Sequence, residues 1–316
     1  MHNMKQKKPL VSICCLTYNH AKYVRQCLDS FIMQQTSFDI EILIHDDAST
    51  DGTDRIIKEY EREFSSIVFP VYQSTNQYSL GVNVSHILYS RVRGKYIATC
   101  EGDDYWLDSY KLEKQVSFLE KNPSYTCCGH LSVTIYDFKT NNNVQVFSKM
   151  PNISGIITKR KFYKAQNIHT SSMVFRSDLI NKLPVHRKEL DRDNPVKYWL
   201  LTYGPIKVLG ENMSVYRRNK GGVSEQLSIN QIYQAEIATS KALGEELKEF
   251  HFQAHYLKSR WHYYYLCNGS NLSFVNRLNL FLKFFFGSFY RFPFNVLSIF
   301  LGILKVFSLD KVKTAF

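Results

Sequence analysis

The 316-residue sequence predicts an α/β fold with a mostly parallel sheet, followed by a helical C-terminal region. Over residues 10–122, short apolar runs rich in β-branched residues alternate with amphipathic helical patterns. The connections between these segments are short, as in right-handed strand–helix–strand units, which build parallel sheets. The strand signals end near Ser224, which predicts that residues 225–316 form a separate, helical region.

The first strand is predicted at residues 10–16 and is followed by a helix for which Asn19 is the expected N-cap. The second strand, residues 40–45, leads into another amphipathic helix. A third strand is predicted at 67–72. It contains Pro70, which lacks a backbone N–H, and we therefore expect it at a sheet edge.

After a short helix, the fourth strand is predicted at 95–100. From about residue 124 the pattern changes to mixed strands, with a hairpin around 139–143 and a strand at 169–176. Residues 193–204 predict a helix that begins after an aspartate and ends at a glycine. Residues 226–267 also carry a helical pattern.

The composition is that of a folded protein with a large core, since 44% of residues are hydrophobic and 22% are charged. The formal net charge of +12 suits an anionic partner, such as nucleic acid, a phosphorylated substrate or an acidic membrane. The seven cysteines lack the CxxC spacing of a zinc site, and no secretory signal precedes them. We therefore expect reduced, buried thiols in a cytoplasmic protein.

Polar side chains follow three of the predicted strands at their carboxyl ends, where open parallel sheets bind ligands. The three acidic side chains in "EGDDYW" would repel one another at neutral pH, which points to a bound cation. A solvated acidic turn is the alternative for that motif alone. The three clusters are Thr17, Tyr18 and Asn19; Asp46 and Asp47; and Glu101, Gly102, Asp103 and Asp104.

Three segments together resemble family 2 glycosyltransferases, which have the GT-A fold: "PLVSICCLTYNHAKYVRQCLDSF", "IEILIHDDASTDGTDRII" and "GKYIATCEGDDYWLDSYKLEKQVSFLE". The resemblance is strong over residues 9–122 and weaker over 165–224. It implies a GT-A catalytic domain at 1–224, with a nucleotide-binding half at 9–122 and an acceptor half at 123–224. It also implies transfer of one sugar, with inversion, from a nucleotide-diphosphate sugar to a glycan acceptor.

The resemblance implies that Asp46, or else Asp47, binds the nucleobase, with the residues after the first strand lining the same pocket. A carboxylate suits the imide N–H of uracil or thymine, which favours a UDP- or dTDP-sugar. The alternative for this motif is a helix N-cap, a role that Asp51 also fits. The implied nucleotide-binding residues are Thr17, Tyr18, Asn19, Asp46, Asp47, Glu101 and Gly102.

The acidic cluster corresponds to the family's metal-binding DxD element. Asp103 is the implied ligand of Mg²⁺ or Mn²⁺, and Asp104 is a second candidate. Glu101 replaces the first aspartate of the common pattern, so its contact is either the metal or the ribose.

The implied catalytic base is Asp193, with Asp191 in reserve; a plain N-cap is the alternative for Asp193. Arg217 and Arg218 are the implied diphosphate contacts, with a solvated basic turn as the alternative. Relatives often carry a histidine at the position of Asn219, which leaves its role open.

The C-terminal region is basic and aromatic. Its longest stretch without charge, 292–304, has thirteen residues, whereas a spanning helix needs about 20. Such a sequence suits peripheral contact with an anionic membrane on its cytoplasmic face. Packing on the catalytic core and a dimer interface are the alternatives.

The leading hypothesis is thus a glycosyltransferase with a lipid-linked acceptor in cell-surface polysaccharide synthesis. A nucleotidyltransferase of similar fold, or a degenerate nucleotide-sugar- or membrane-binding protein, are the alternatives. Nucleic-acid binding is not expected, because the excess charge lies in an aromatic tail.

Overall fold

A computed structural model describes residues 8–137, 147–149, 154–159, 165, 167–182, 193–219, 222 and 228, with scattered positions between 231 and 245. The chain divides into two compact units, Met1–Glu225 and Gln226–Phe316. Within the described residues, ten strands form one sheet. The strands are β1 (Val11–Thr17), β2 (Ile40–Asp46), β3 (Val68–Tyr72), β4 (Tyr96–Glu101), β5 (Tyr105–Trp106), β6 (Cys127–Tyr136), β7 (Phe147–Lys149), β8 (Gly155–Ile157), β9 (Val174–Arg176) and β10 (Ile206–Arg218).

The sheet has the order β3-β2-β1-β4-β9-β6-β10-β5, with β7 added to β6 and β8 added to β10. The four strands from β3 to β4 are parallel, as the strand–helix alternation predicts. Beyond them β9 is antiparallel to both of its neighbours, and β6 and β10 are parallel to each other. Strand β3, which contains Pro70, lies at the edge as predicted.

Strand register brings the predicted polar clusters together. In the pairing of β1 with β2, Thr17 lies opposite Asp46, and on the other side of β1, Leu16 lies opposite Glu101. All three strands therefore end at one edge of the sheet, with β1 in the middle. The carboxyl ends of these strands form the floor on which the candidate site is built.

Helices cover the parallel half of the sheet because each presents one apolar face. In the first helix, Val24, Cys27, Leu28 and Phe31 are buried at a spacing of three and four residues. The Phe31 ring packs on the buried ring of Trp106, with ring centroids 4.6 Å apart. The helices are α1 (Val24–Ile32), α2 (Thr53–Glu63), α3 (Val84–Tyr89), α4 (Lys111–Lys121) and α5 (Asp193–Tyr203).

Two predicted elements differ in the structure. Asn19 is not the cap of α1, because the helix begins five residues later, with Tyr23 at its N-cap, and Asn19 has a left-handed backbone with φ of 54°. The strand predicted at 169–176 is reduced to β9, since a 3₁₀ turn occupies Thr170–Ser172. The predicted hairpin turn at 139–143 lies outside the described residues, although the strands that flank it pair antiparallel.

Six cysteines, all those within the described residues, are buried free thiols as predicted. Of the helical pattern at 226–267, the described positions between 231 and 245 are helical, and the remainder lies outside the described residues. Among the described helices, none combines the length and apolar character needed to cross a bilayer.

Candidate active site

Asp46 ends β2 and is 2% exposed. Its Oδ1 accepts hydrogen bonds from the Thr17 hydroxyl at 3.1 Å and the Ser49 hydroxyl at 2.6 Å. Its Oδ2 accepts the backbone N–H of Ser49 at 3.2 Å. Both oxygens are thus oriented by β1 and by the loop after β2, which holds the carboxylate rigid at the sheet edge.

Asp47 has a different set of contacts, although it follows directly. Its Oδ1 accepts the backbone N–H of Gln77 at 2.7 Å, and its Oδ2 accepts that of Tyr78 at 3.0 Å. Its own N–H donates to the carbonyl of Thr17 at 3.0 Å. Asp47 therefore ties the loop after β3 back onto the ends of β1 and β2. Sequence reasoning did not predict this bracing role.

The residues after β1 border the same edge. The Asn19 side-chain oxygen accepts the Thr50 N–H at 2.8 Å, and the Asn19 N–H donates to the Ser49 hydroxyl at 2.9 Å. Asn19 therefore binds the two loops to each other. Tyr18 is 45% exposed, so its ring is accessible to a ligand at this edge.

The acidic turn packs tightly against β1. Gly102 follows β4, and its N–H donates to the carbonyl of Leu16 at 2.9 Å. A Cβ atom at this position would lie 2.6 Å from the Thr17 methyl group and 2.9 Å from Nδ1 of His20. Only glycine permits this approach, so Gly102 brings the acidic turn against the Thr17 loop by its lack of a side chain.

Asp103 is the partly exposed member of the turn, with 14% of its side chain accessible. Its Oδ2 accepts a hydrogen bond from Nδ2 of Asn219 at 2.8 Å. The same oxygen lies 3.9 Å from Nε2 of His20. The sequence marked Asp103 but not His20, whose only signal was its place directly after "TYN".

Asp104 is buried, with 1% of its surface exposed. Its Oδ1 accepts the backbone N–H of Arg217 at 2.8 Å, while its buried Oδ2 has no hydrogen-bond partner within the described part of the chain. Burial, reinforced by the charge of Asp103, raises the pKa of Asp104 well above its usual value. This carboxyl group braces β10 against the turn.

Arg217, a predicted diphosphate contact, is held within the protein. Its guanidinium donates to the carbonyl of Asp103 at 2.7 Å and to the side chain of Gln26. It lies over the rings of Tyr23 and Tyr105, 5.0 and 4.6 Å from their centroids. These contacts link α1, the acidic turn and the end of β10, as a cation–π and hydrogen-bond clamp.

For the other predicted site residues, Arg218, Asp193 and Asp191, the structure gives fewer contacts. Arg218, which ends β10, lies over the ring of Tyr136 at 5.3 Å. Arg217 and Arg218 both lie at the end of strand β10 and not in a turn. Asp193 is the first residue of α5, where its side chain lies outside the described atoms, and Asp191 lies outside the described residues.

Comparison with known proteins decides the family. The model of glycosyl transferase family 2 matches residues 12–183, which is more than half of the chain and includes both acidic pairs. The chain belongs to glycosyl transferase family 2. Its fold is GT-A-like, a mixed α/β fold with a central, mostly parallel sheet.

Two relatives illustrate the range of this family. An uncharacterised protein of Mycobacterium tuberculosis is 37% identical over 218 residues, covering 67% of this chain. The chain spans 60% of the length of that relative. TuaG of Bacillus subtilis, named for teichuronic acid biosynthesis, is 33% identical over 129 residues, which are 40% of this chain and 49% of TuaG.

Two solved structures share the fold of this family 2 chain. Residues 1–349 of S. aureus TarS, in complex with UDP-GlcNAc, align with a TM-score of 0.59 and 16% identity, over 87% of this chain and 80% of that chain. The mannosyltransferase PcManGT of Pyrobaculum calidifontis, in complex with GDP-Man and Mn²⁺, aligns with a TM-score of 0.54 and 14% identity, over 96% and 81% of the two chains.

Proposed function

We propose that the protein is an inverting glycosyltransferase that moves one sugar from a nucleotide-diphosphate sugar to a hydroxyl group of a glycan acceptor. The observation that carries this proposal is the strand register that joins Thr17 to Asp46 on one side and Leu16 to Glu101 on the other. A base-binding carboxylate and a diphosphate-binding acidic turn thereby share one edge. Membership of family 2 supports the reaction class.

The donor is a UDP- or dTDP-sugar. The Asp46 carboxylate, held by Thr17 and Ser49, is a fixed acceptor for an imide N–H, which uracil and thymine have and cytosine lacks. The complex of TarS with UDP-GlcNAc supports this choice. The complex of PcManGT with GDP-Man makes a GDP-sugar the alternative donor. Tyr18 and Asn19 border the base, with Gly102 between it and the diphosphate.

The cofactor is Mg²⁺ or Mn²⁺, held at Asp103. The site fits a hard divalent ion, because the carboxylate is partly exposed and has an amide and an imidazole beside it. In the described residues no three His, Cys, Asp or Glu side chains form a complete metal cage, so the donor phosphates would supply further ligands. When bound, the ion neutralises the charge of the departing nucleoside diphosphate.

The catalytic base is Asp193, at the first position of α5, with Asp191 in reserve. An inverting transfer needs a carboxylate that removes the acceptor's proton during in-line attack on the anomeric carbon. Arg217 acts on the diphosphate indirectly, because its guanidinium holds the acidic turn and β10 together. Arg218, which follows it on the strand, remains the candidate for direct phosphate contact.

The acceptor is a lipid-linked glycan of cell-surface polysaccharide synthesis, reached at the cytoplasmic face of the membrane. The name of TuaG supports a polysaccharide product, and the basic, aromatic sequence of residues 272–307 supports contact with anionic lipid. In this arrangement residues 225–316 hold the catalytic domain near its lipid-linked substrate.

A thermal-shift screen tests the donor and the metal together. UDP, dTDP, GDP and CMP are each added with and without Mn²⁺ to the wild type, to Asp103→Asn and to the matched control Asp178→Asn. Asp178 is exposed and lies beyond the opposite end of β4. A nucleotide at 100 times its Kd should stabilise the fold by about 2.7 kcal/mol.

We expect stabilisation by UDP or dTDP that Mn²⁺ increases, and loss of the metal-dependent part only in Asp103→Asn. Release of the nucleoside diphosphate from the matching nucleotide sugar, measured with and without a glycan acceptor, then tests the transfer chemistry. A folded protein that no nucleotide stabilises would contradict the proposal and favour a degenerate binding protein.

A further inference from the structure

His20 follows the polar residues after β1, and its backbone is fixed at that point. Its N–H donates to the hydroxyl of Thr53 at 2.8 Å. Its carbonyl accepts the N–H groups of Tyr23 and Val24, both at 2.8 Å, where α1 begins. Its ring packs beside Gly102, because a Cβ there would lie 2.9 Å from Nδ1. The backbone contacts and the packing against Gly102 therefore fix the position of the imidazole.

The other ring nitrogen of His20 faces Asp103. Nε2 and the carboxylate Oδ2 are 3.9 Å apart, which is too long for a direct hydrogen bond. Two ligands that are each about 2.1 Å from one ion lie about 3.0 Å apart when cis and about 4.2 Å apart when trans. The observed separation falls between these limits. The two atoms are thus close enough for both to reach one cation after a small movement of either side chain.

Asn219 adds a third group on the same carboxylate. Its Nδ2 donates to Oδ2 of Asp103 at 2.8 Å, and it is 8% exposed. Its side-chain amide also carries an oxygen, which a rotation about the last side-chain bond would turn toward an ion at Asp103. One carboxylate, one imidazole and one amide from three separate parts of the chain thereby converge on one point.

We infer that His20 is a direct ligand of the divalent cation held at Asp103. The inference rests on the proposed metal-dependent function and narrows the choice of ion. Mg²⁺ takes oxygen ligands, whereas imidazole nitrogen favours transition-metal ions over it. A site with His20 in its coordination shell therefore selects Mn²⁺ over Mg²⁺.

The surroundings of His20 also set the expected strength of this site. Coordination through Nε2 leaves the proton on Nδ1, which is buried and has no hydrogen-bond acceptor within the described residues. Histidine ligands are commonly held by such a second hydrogen bond, and losing it weakens metal binding about 10–100-fold. The protein alone should bind Mn²⁺ weakly, and the nucleotide phosphates should strengthen binding.

Electron paramagnetic resonance of Mn²⁺ tests the inference without an activity assay. The full chain is titrated with Mn²⁺ in the presence of UDP, and electron spin echo modulation then detects nitrogen bound to the ion. We expect ¹⁴N modulation in the wild type, and its replacement by ¹⁵N modulation when histidine is labelled with ¹⁵N. This labelling needs no variant and excludes the uracil nitrogens as the source.

Two variants with matched controls complete the test. His20→Gln should abolish the nitrogen modulation, raise the Kd for Mn²⁺ about 10-fold and reduce the preference for Mn²⁺ over Mg²⁺. His86→Gln is the same substitution in α3, outside the site, and should leave all three quantities unchanged. Asp103→Asn should abolish Mn²⁺ binding itself.

Absence of nitrogen modulation in the wild type, with Mn²⁺ bound, would overturn the inference and leave the metal at Asp103 intact. The inference would also be wrong if His20→Gln weakened UDP binding in EDTA with unchanged Mn²⁺ affinity, because His20 would then contact phosphate. Wild type that binds no Mn²⁺ with any nucleotide would overturn the metal proposal as well.

Discussion

Two pairs of adjacent aspartates, Asp46–Asp47 and Asp103–Asp104, lie at the carboxyl ends of the parallel strands β2 and β4. They differ in how many of their oxygens accept hydrogen bonds from the protein. The oxygens of Asp46 and Asp47, after β2, all accept hydrogen bonds from nearby backbone or hydroxyl groups. In the pair after β4, Asp103 is partly exposed, and Asp104 is buried with one oxygen lacking a partner among the described residues. In the first pair every oxygen already has a protein donor, so a base at Asp46 would add a further bond to an oxygen that is already oriented. In the second pair the partly exposed Asp103 is the side chain that a ligand can reach.

The two pairs also share a division of labour. In each pair one carboxylate borders the site, and the other holds a distant piece of backbone. Asp47 accepts two N–H groups of the loop after β3, and Asp104 accepts the N–H of Arg217 on β10. Adjacency in sequence therefore does not mean a shared role, because successive side chains leave the backbone in different directions.

The largest effect should follow from removing the charge of Asp103. Asp103→Asn keeps the shape of the side chain but loses the negative charge that holds the cation, so we expect sugar transfer to fall roughly 10²–10³-fold. Steady-state kinetics at the Mn²⁺ concentration that saturates the wild type measure the loss. Asp178→Asn should retain wild-type rates, and an equal loss in both variants would contradict a metal role for Asp103.

The second effect concerns stability at the buried Asp104. Asp104→Ala leaves the Arg217 N–H without its acceptor and should destabilise the fold by about 1–3 kcal/mol in urea unfolding. Asp104→Asn keeps an acceptor oxygen and should be far milder. Equal destabilisation in both variants would mean that the charge, and not the acceptor, holds β10.

Asp104→Asn also predicts a change with pH. The pKa of Asp104 is raised in the folded protein above the ordinary value of 3.8, mainly by burial. Between these two values only the unfolded chain has lost the proton, so the stability of the wild type falls as pH rises. The amide does not titrate. From pH 4 upward, the free energy of unfolding of Asp104→Asn should therefore rise relative to that of the wild type, by at most about 1.4 kcal/mol per pH unit.

A smaller effect is expected in the first pair, at Asp46. Asp46→Asn replaces a charged acceptor for the base and should weaken UDP binding about 10-fold, or about 1.4 kcal/mol. Isothermal titration in EDTA isolates this base contact from the metal. Asp103→Asn should bind UDP normally under those conditions. If Asp103→Asn weakened UDP binding in EDTA and Asp46→Asn did not, the roles assigned to the two pairs would be exchanged.

The smallest effect should come from Asp47. Asp47→Asn offers one acceptor oxygen where two N–H groups need one each, so the loop after β3 should lose about 0.5–1.5 kcal/mol of local stability. Hydrogen exchange at residues 77–82 measures this loosening. If UDP affinity fell as far as in Asp46→Asn while the loop stayed protected, Asp47 would be the base-binding residue.

Much of the fold could be predicted because its signals are local. Apolar strands that alternate with amphipathic helices specify parallel crossovers, and Pro70 alone indicates an edge strand. The end of a parallel strand is also where ligands bind, so Asp46 and Asp103 could be singled out from their positions after β2 and β4. The strand predicted at 169–176 was too long, because Thr170–Ser172 form a 3₁₀ turn that the apolar pattern did not indicate.

By itself, then, the sequence determined the parallel half of the sheet and the acidic clusters at its edge, since residue periodicity carries both. Only the tertiary structure decided which aspartate braces the backbone, what engages Arg217 and how close His20 comes to Asp103. Those contacts join residues that are distant in the chain, such as Asp104 and Arg217, which are 113 positions apart. Such pairs have no local signature, because folding alone brings them together.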